Sequence, residues 1–156
     1  MELNLKEKMK FLSIVDIFKK CKKRDIKSLA KASSIRRYEP GEYLCKQGDK
    51  GVALFIIVEG KVKVIEEIDS EKKVEVAELG PGNVVGELSI IDGAERVASV
   101  VASEPTTCIV LTSWDFKAVL KSRPEIALDI LPVIVARFRE TTSLLRNYGQ
   151  KIGEIE

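Results

Sequence analysis

Between Ser34 and Thr112 the chain is cut at short, regular intervals by turn-forming clusters: "EPGEY", "KQGDKG", "VEGK", "IDSEK", "LGPGN", "IDGAE" and "ASEP". Such spacing leaves little room for a helix of ordinary length and demands a fold of short strands. The intervening segments agree. "ALFIIVEG", "KVKVIEEI", "KVEVAEL", "RVASVVAS" and "TCIVLTS" are rich in the β-branched residues that suit a pleated, half-buried surface. In "KVKVI", Val62 and Val64 point one way and Lys61 and Lys63 the other, so that strand has one buried and one wet face. Roughly seven or eight short strands at this spacing mean a sandwich, a jelly roll or a small barrel.

Helical periodicity flanks this β region. From Leu5 to about Ala32 the apolar residues Phe11, Ile14, Val15, Phe18, Ile26, Leu29 and Ala30 recur at helical steps, which predicts two short amphipathic helices broken near "KKCKKR" at 19–24. After "LTSW" the helical period returns in "WDFKAVLKS", and past Pro124 it continues from Glu125 to the end. Steps of three and four trace one seam through Leu131, Ile134, Phe138, Thr141, Leu145, Tyr148, Ile152 and Ile155. Seven of those eight are apolar, the pattern of a helix that pairs with another. The alternative is a stripe that folds onto its own barrel. Pro132 is expected to bend this helix near the start of the seam, and Gly149 and Gly153 to weaken its end. The chain thus divides into a helical segment 1–33, a β region 34–112 and C-terminal helices 113–156.

Charge narrows the function classes. The totals, 26 Lys and Arg against 24 Asp and Glu, leave +2 and announce no nucleic-acid partner. The distribution is uneven: residues 1–40 hold 12 basic and 5 acidic residues, and the remainder 14 and 19. The basic cluster at 19–24 reads as a solvated helix end and linker; the competing reading is a phosphate- or lipid-binding patch, and a further reading makes the whole basic segment from Lys6 to Lys31 an anchor for nucleic acid or an anionic membrane. There is no histidine, which removes His-based triads, zinc hydrolysis and His-ligated haem. Nothing pairs a nucleophile with a base, so the chain is read as a non-enzyme. Cys21, Cys45 and Cys108 are odd in number and form no C-x-x-C pair, which suits a reducing compartment. "MELNLKEKMK" has no apolar signal core, and "VALFIIV" at 52–58 is too short to span a bilayer. A soluble cytoplasmic protein is expected.

One stretch, "LGPGNVVGELSIIDGAER", places charges where the surroundings look like core. Gly80, Pro81, Gly82 and Gly86 let the backbone turn tightly and another group approach closely. The apolar step after Glu87 reads as one helical turn, whose unpaired amides at Leu88 and Ser89 would favour an anion. Arg96 can reach back to the same spot with a planar fork of donors suited to phosphate. Glu87 has the wrong sign for a phosphate, so its expected work is to accept a sugar hydroxyl. The bland reading is that Glu87 and Arg96 form an ion pair across a hairpin.

From about Phe11 to about Arg139 the sequence resembles the cyclic nucleotide-binding domain family. "YEPGEYLCKQGDKGVALFIIVEGKVKV" is similar to that family's opening strands, "PGNVVGELSIIDGAERVASVVA" to its phosphate-binding cassette, at 82–99 here, and "WDFKAVLKSRPEIA" to the helices that follow. The resemblance implies an eight-stranded jelly roll with N-terminal helices and a long C-terminal helix able to cover the ligand and pair with its twin. It places Gly86 before the acid, Glu87 on the ribose 2′-OH, the amides of Leu88, Ser89 and Val97 on the cyclic phosphate, Arg96 on the same phosphate, and Ala98 at the small position after them. Asn83, Val85 and Glu95 depart from the usual acid, aromatic and proline. Val97 lacks the hydroxyl that members preferring cyclic GMP often carry, which leans the ligand toward cyclic AMP. No further cofactor and no metal are implied.

The resulting expectation is a stand-alone cyclic nucleotide sensor that signals to an unknown protein partner, as a homodimer through the C-terminal helix. Bacterial regulators of the family continue into a helix-turn-helix, and a chain ending at Glu156 is expected not to read DNA directly. The competing expectation keeps the fold as a ligand-free dimeric interaction module in which Glu87 and Arg96 merely pair.

Overall fold

The computed structural model describes residues 2–155, and the side chains of residues 2–150. Helix α1 (Leu5–Ser13), a 3-10 turn (Asp16–Phe18) and α2 (Lys23–Ala32) come first. Asn4 opens α1 by accepting the Glu7 amide at 2.9 Å, and the separation of α1 from α2 falls across the basic linker. Strands β1 (Ser34–Tyr38), β2 (Tyr43–Cys45), β3 (Ala53–Glu59), β4 (Val62–Glu67), β5 (Lys73–Leu79) and β6 (Val84–Val85) follow, then a single helical turn, α3 (Ser89–Asp92). Strands β7 (Ser99–Ala102) and β8 (Thr106–Thr112) complete the β region, and α4 (Ser113–Ser122) and α5 (Glu125–Ile155) close the chain.

The strands form two four-stranded antiparallel sheets, ordered β1-β8-β3-β6 and β2-β7-β4-β5. This is the jelly roll that the resemblance implied, one of the three architectures that the turn spacing left open. Strand β3 explains its own sequence. Ala53, Phe55 and Ile57 face the core between the sheets, whereas Leu54, Ile56 and Val58 face a second core shared with the helices. A strand buried on both faces must be apolar without alternation, as "ALFIIV" is. Strand β8 divides in the same way: Cys108 and Val110 lie between the sheets, and Ile109 and Leu111 lie under the helices. In β4, Val62 is fully buried and Val64 packs on the inter-sheet core, while Lys63, and Lys61 just before the strand, turn outward toward Glu75 and Glu78 of β5.

Helix α5 begins as part of the fold and continues away from it. Ile126, Ile130 and Val133 are buried under α4 and the N-terminal helices, with Ile134 packed against them. The helix runs unbroken through Pro132, whose ring lies on the exposed side. The expected seam is not the face that meets the barrel. Leu131, Phe138, Leu145 and Tyr148 are each more than half exposed, and among the described seam residues only Ile134 joins the core. The seam positions Ile152 and Ile155, with Gly153, lie outside the residues whose side chains are described.

Candidate functional site

The cassette is the connection from β6 to β7. It leaves β6 through Gly86, in the left-handed region at φ +82°, makes the turn of α3, ends that turn at left-handed Gly93, and enters β7 just after Arg96. Between it and the β2-β7-β4-β5 sheet lies a cavity of about 590 Å³, within the range of small-molecule pockets. Val64, Leu79, Val85 and Val100 supply apolar wall; Glu87, Ser89 and Arg96 supply the polar side. Cys45 also lines the cavity, with burial pushing its thiol up.

Arg96 is held from below. Its Nη1 donates to Ser89 Oγ at 2.7 Å and its Nη2 to the carbonyl of Ala53, while the guanidinium carbon sits 6.0 Å from the centre of the Phe55 ring. Its Nε–H is buried and has no acceptor. Gly86 is the residue that makes room for this pose. A Cβ there would run into the Arg96 guanidinium and lie 2.6 Å from the Ala53 carbonyl oxygen, on a backbone that already favours glycine. The glycine before the acid and the arginine nine residues after it are therefore one packing unit.

The backbone of the cassette is rich in unused donors. Among the described residues, the amides of Leu88, Ser89, Val97 and Ala98 give no hydrogen bond to any acceptor. Leu88 and Val97 project their side chains outward, Val97 most of all at 84 % exposed, and Ala98 is half-buried. The chain bends at Val97 and Ala98 before β7 begins.

Glu87 does not pair with Arg96. Its Oε1 meets Nη2 of Arg137, on α5, and the same guanidinium grips Asp16 of the 3-10 turn, with Nε 2.9 Å from Asp16 Oδ2. In place of the alternative ion pair across the hairpin, a bridge joins the cassette, the N-terminal segment and the last helix. The hydrogen bond from Arg137, followed by the one from Lys19, holds the Asp16 carboxyl below the usual carboxylate range. Sequence reading found neither Asp16 nor Arg137. Each is one charge among many on a helical segment, and only the tertiary fold brings them to Glu87.

The departures from the family pattern have local explanations. Asn83, standing where an acid is usual, accepts the Gly80 amide through its side chain at 2.9 Å and the Ile57 amide through its carbonyl at 3.0 Å, so it closes the "LGPGN" turn as a carboxylate would. Val85 lies opposite Phe55 in the β3-β6 pair and packs on the inter-sheet core. Glu95 forms an isolated backbone bridge with Lys50.

The family model described as "Cyclic nucleotide-binding domain" matches residues 35–123, more than half of the chain. The chain belongs to the cyclic nucleotide-binding domain family. Among curated relatives, the cyclic AMP receptor protein of Thermus thermophilus is 35 % identical over 105 residues, which are 67 % of this chain and 49 % of that protein. The chain therefore spans about half the length of this relative. Among solved structures, the N-terminal domain of a transcriptional regulator from Streptomyces coelicolor superposes with a TM-score of 0.78 at 28 % identity, covering 85 % of this chain and 95 % of that one. The regulatory subunit of a cAMP-independent protein kinase A from Trypanosoma brucei superposes at 0.67 with 27 % identity, covering 97 % of this chain and 52 % of that one. The chain is thus similar in fold to part of a transcriptional regulator and to part of a kinase regulatory subunit. Among the described residues no helix is long and apolar enough to cross a membrane, and no cluster of residues fit to hold a metal is present.

Proposed function

We propose that this domain binds a cyclic nucleotide, cyclic AMP in preference to cyclic GMP, and acts as a sensor rather than an enzyme. The observation that carries the reading is the buried, acceptor-less Nε–H of Arg96 in a pocket edged by four unused amides. A buried donor left unpaired costs about 1–3 kcal/mol, and a phosphate oxygen would satisfy it. Arg96 and the amides of Leu88, Ser89 and Val97 take the cyclic phosphate in this reading, and Gly86 and small Ala98 let it approach. Glu87 accepts the ribose 2′-OH. Its contact with Arg137 runs through Oε1, and a carboxylate holds enough lone pairs to accept a hydroxyl as well.

The base would rest on the apolar wall of Val64, Leu79 and Val100, with Val97 at the rim. Val97 has no hydroxyl to meet a guanine edge, which supports the preference for cyclic AMP. No separate cofactor takes part. The exposed seam of α5 supports a homodimer, whose output passes to a protein partner in the cytoplasm. We assign sensing, not DNA reading, to residues 1–156. In this reading the site belongs to the β region 34–112, between the helical segment 1–33 and the C-terminal helices 113–156.

Thermal melts with millimolar cyclic AMP, cyclic GMP and linear AMP test the reading. Ligand at a hundredfold excess over its Kd adds about 2.7 kcal/mol. The expected result is the largest rise with cyclic AMP and none with linear AMP. No rise with either cyclic nucleotide would leave a ligand-free dimeric module of the same fold.

A further inference from the structure

The two N-terminal helices carry a second concave surface, on residues that take no part in the nucleotide site. Two adjoining cavities, about 390 and 620 Å³, share Lys6, Met9 and Lys23 between them. The floor is made by Leu5, Met9, Cys21 and Ile26, all wholly or partly buried. The rim is made by Lys6, Lys10, Lys23, Arg24 and Lys27, all exposed. The spacing produces this division. Leu5 and Met9 are one turn apart on α1, each followed by a lysine, and on α2 Ile26 sits between Lys23 and Lys27.

No acidic side chain lines either cavity. Among the described residues Lys6, Lys10, Lys23 and Lys27 form no ion pair, whereas Arg24 pairs with Glu125 at 3.7 Å. The neighbouring lysines differ. Lys8 donates to the Ser33 carbonyl and Lys19 pairs with Asp16, so each has a structural task. The four rim lysines have none inside the fold. Four uncompensated positive charges around an aliphatic floor are complementary to a ligand that is apolar in the middle and anionic at its edges.

We propose that the cleft between α1 and α2 docks an acidic amphipathic segment of a partner protein, its aliphatic side chains on Met9 and Ile26 and its carboxylates on the lysine rim. Helix-in-groove recognition has this form. A bilayer fits less well, because the apolar groups are recessed below the cations and Ile14, the exposed large apolar residue that caps α1, does not line the cleft. Nucleic acid fits less well, because no aromatic side chain lines the cleft for a base to stack on.

The test is a displayed library of helices of about 12 residues, or about three turns. It carries Leu, Met or Phe at i, i+3 and i+4 with Asp or Glu between them, and is panned on the full chain beside a matched library carrying Lys instead. Selected peptides are then measured by fluorescence anisotropy. The expected result is enrichment from the acidic library alone, with affinity that falls as salt is added. Lys6→Glu with Lys23→Glu should weaken binding at least about tenfold, and Met9→Gln should weaken it without any change of charge, both in proteins with unchanged circular dichroism. The proposal is overturned if the acidic library yields no binder, or if binding is indifferent to both variants. It is equally overturned if phosphatidylserine vesicles or single-stranded RNA bind more tightly than any selected peptide and compete it away.

Discussion

Arg137 of α5 holds Glu87 of the cassette and Asp16 of the N-terminal 3-10 turn with one guanidinium. The Glu87 side chain is only 18 % exposed, so its carboxylate is aimed by this contact rather than by water. If Glu87 takes the ribose hydroxyl as proposed, removing the arginine should leave the fold in place but let Glu87 turn away from that hydroxyl. Arg137→Ala should therefore lower the preference for cyclic AMP over its 2′-deoxy analogue by about tenfold to a hundredfold, the loss of one hydrogen bond to a charged group at about 1.5–3 kcal/mol. Titration calorimetry with the two ligands reads this directly. An unchanged preference would mean that Glu87 needs no help from α5.

Gly86 is constrained twice, by φ +82° and by the guanidinium that occupies the space of a side chain. Gly86→Ala should cost about 1–3 kcal/mol of stability from backbone strain, and more where Arg96 cannot move aside. Chemical denaturation measures the first effect. The second should appear as weaker cyclic nucleotide binding in protein that is still folded, because Arg96 must leave Ser89 and Ala53 to make room.

The architecture was legible because strand physics writes itself locally. Turn clusters mark the ends of β1 to β8, alternation marks the wet face of β4, and the unbroken run "ALFIIV" marks a strand covered on both sides. Gly86, Glu87, Ser89 and Arg96 were legible as a group because they are close in sequence, and the fold places them around one cavity. Asp16 and Arg137 were not, since 121 residues separate them and no periodicity records their meeting. The seam of α5 was visible as a pattern, yet a pattern of apolar residues does not say which partner covers it. The structure separates the stripe of Ile126, Ile130 and Val133, which the fold covers, from Leu131, Phe138, Leu145 and Tyr148, which it leaves exposed.

Arg96 has structural bonds as well as an orphaned donor, so its substitution should show in both stability and binding. Arg96→Ala should weaken cyclic AMP binding by about tenfold to a hundredfold or more, given about 1.5–3 kcal/mol per hydrogen bond to a charged group. Arg96→Lys keeps the charge but cannot reach Ser89, Ala53 and a phosphate together. Recovery of full affinity in the lysine variant would show that charge alone suffices and that the fork is irrelevant.

The exposed seam predicts association. Phe138 is 71 % exposed at the centre of the row that runs from Leu131 to Tyr148, and apolar rows at heptad spacing pair with their like. Sedimentation velocity at micromolar concentration should show a dimer. Phe138→Glu, which puts two carboxylates opposite each other in such a dimer, should return it to monomer without lowering helix content. A wild-type monomer at all concentrations would remove this role from α5.

Two buried or bridged carboxylates should tilt stability against pH in opposite senses. Asp25 is fully buried, with Arg123 Nη1 at 3.4 Å from its Oδ1, and its Oδ2 has no partner. Burial, with the Glu125 carboxylate beside it, pushes the Asp25 carboxyl above its usual range. The folded state then holds this proton more tightly than the unfolded chain, whose aspartates titrate near about 3.9. Stability from this site is complete below that pH and is lost as pH rises through the folded value. Asp16 behaves in reverse. Its carboxyl is held low by Arg137 and Lys19, so its contribution is present at neutral pH and is lost as pH falls through its depressed value. Relative to the parent, Asp25→Asn should therefore gain in stability as pH rises from about 4 to 7. Asp16→Asn should be less stable at pH 7 and converge with the parent under acid. Urea midpoints across this range decide the matter. Parallel curves for Asp25→Asn would mean that Arg123 keeps Asp25 charged in the fold, and parallel curves for Asp16→Asn that the bridge to Arg137 adds nothing to stability.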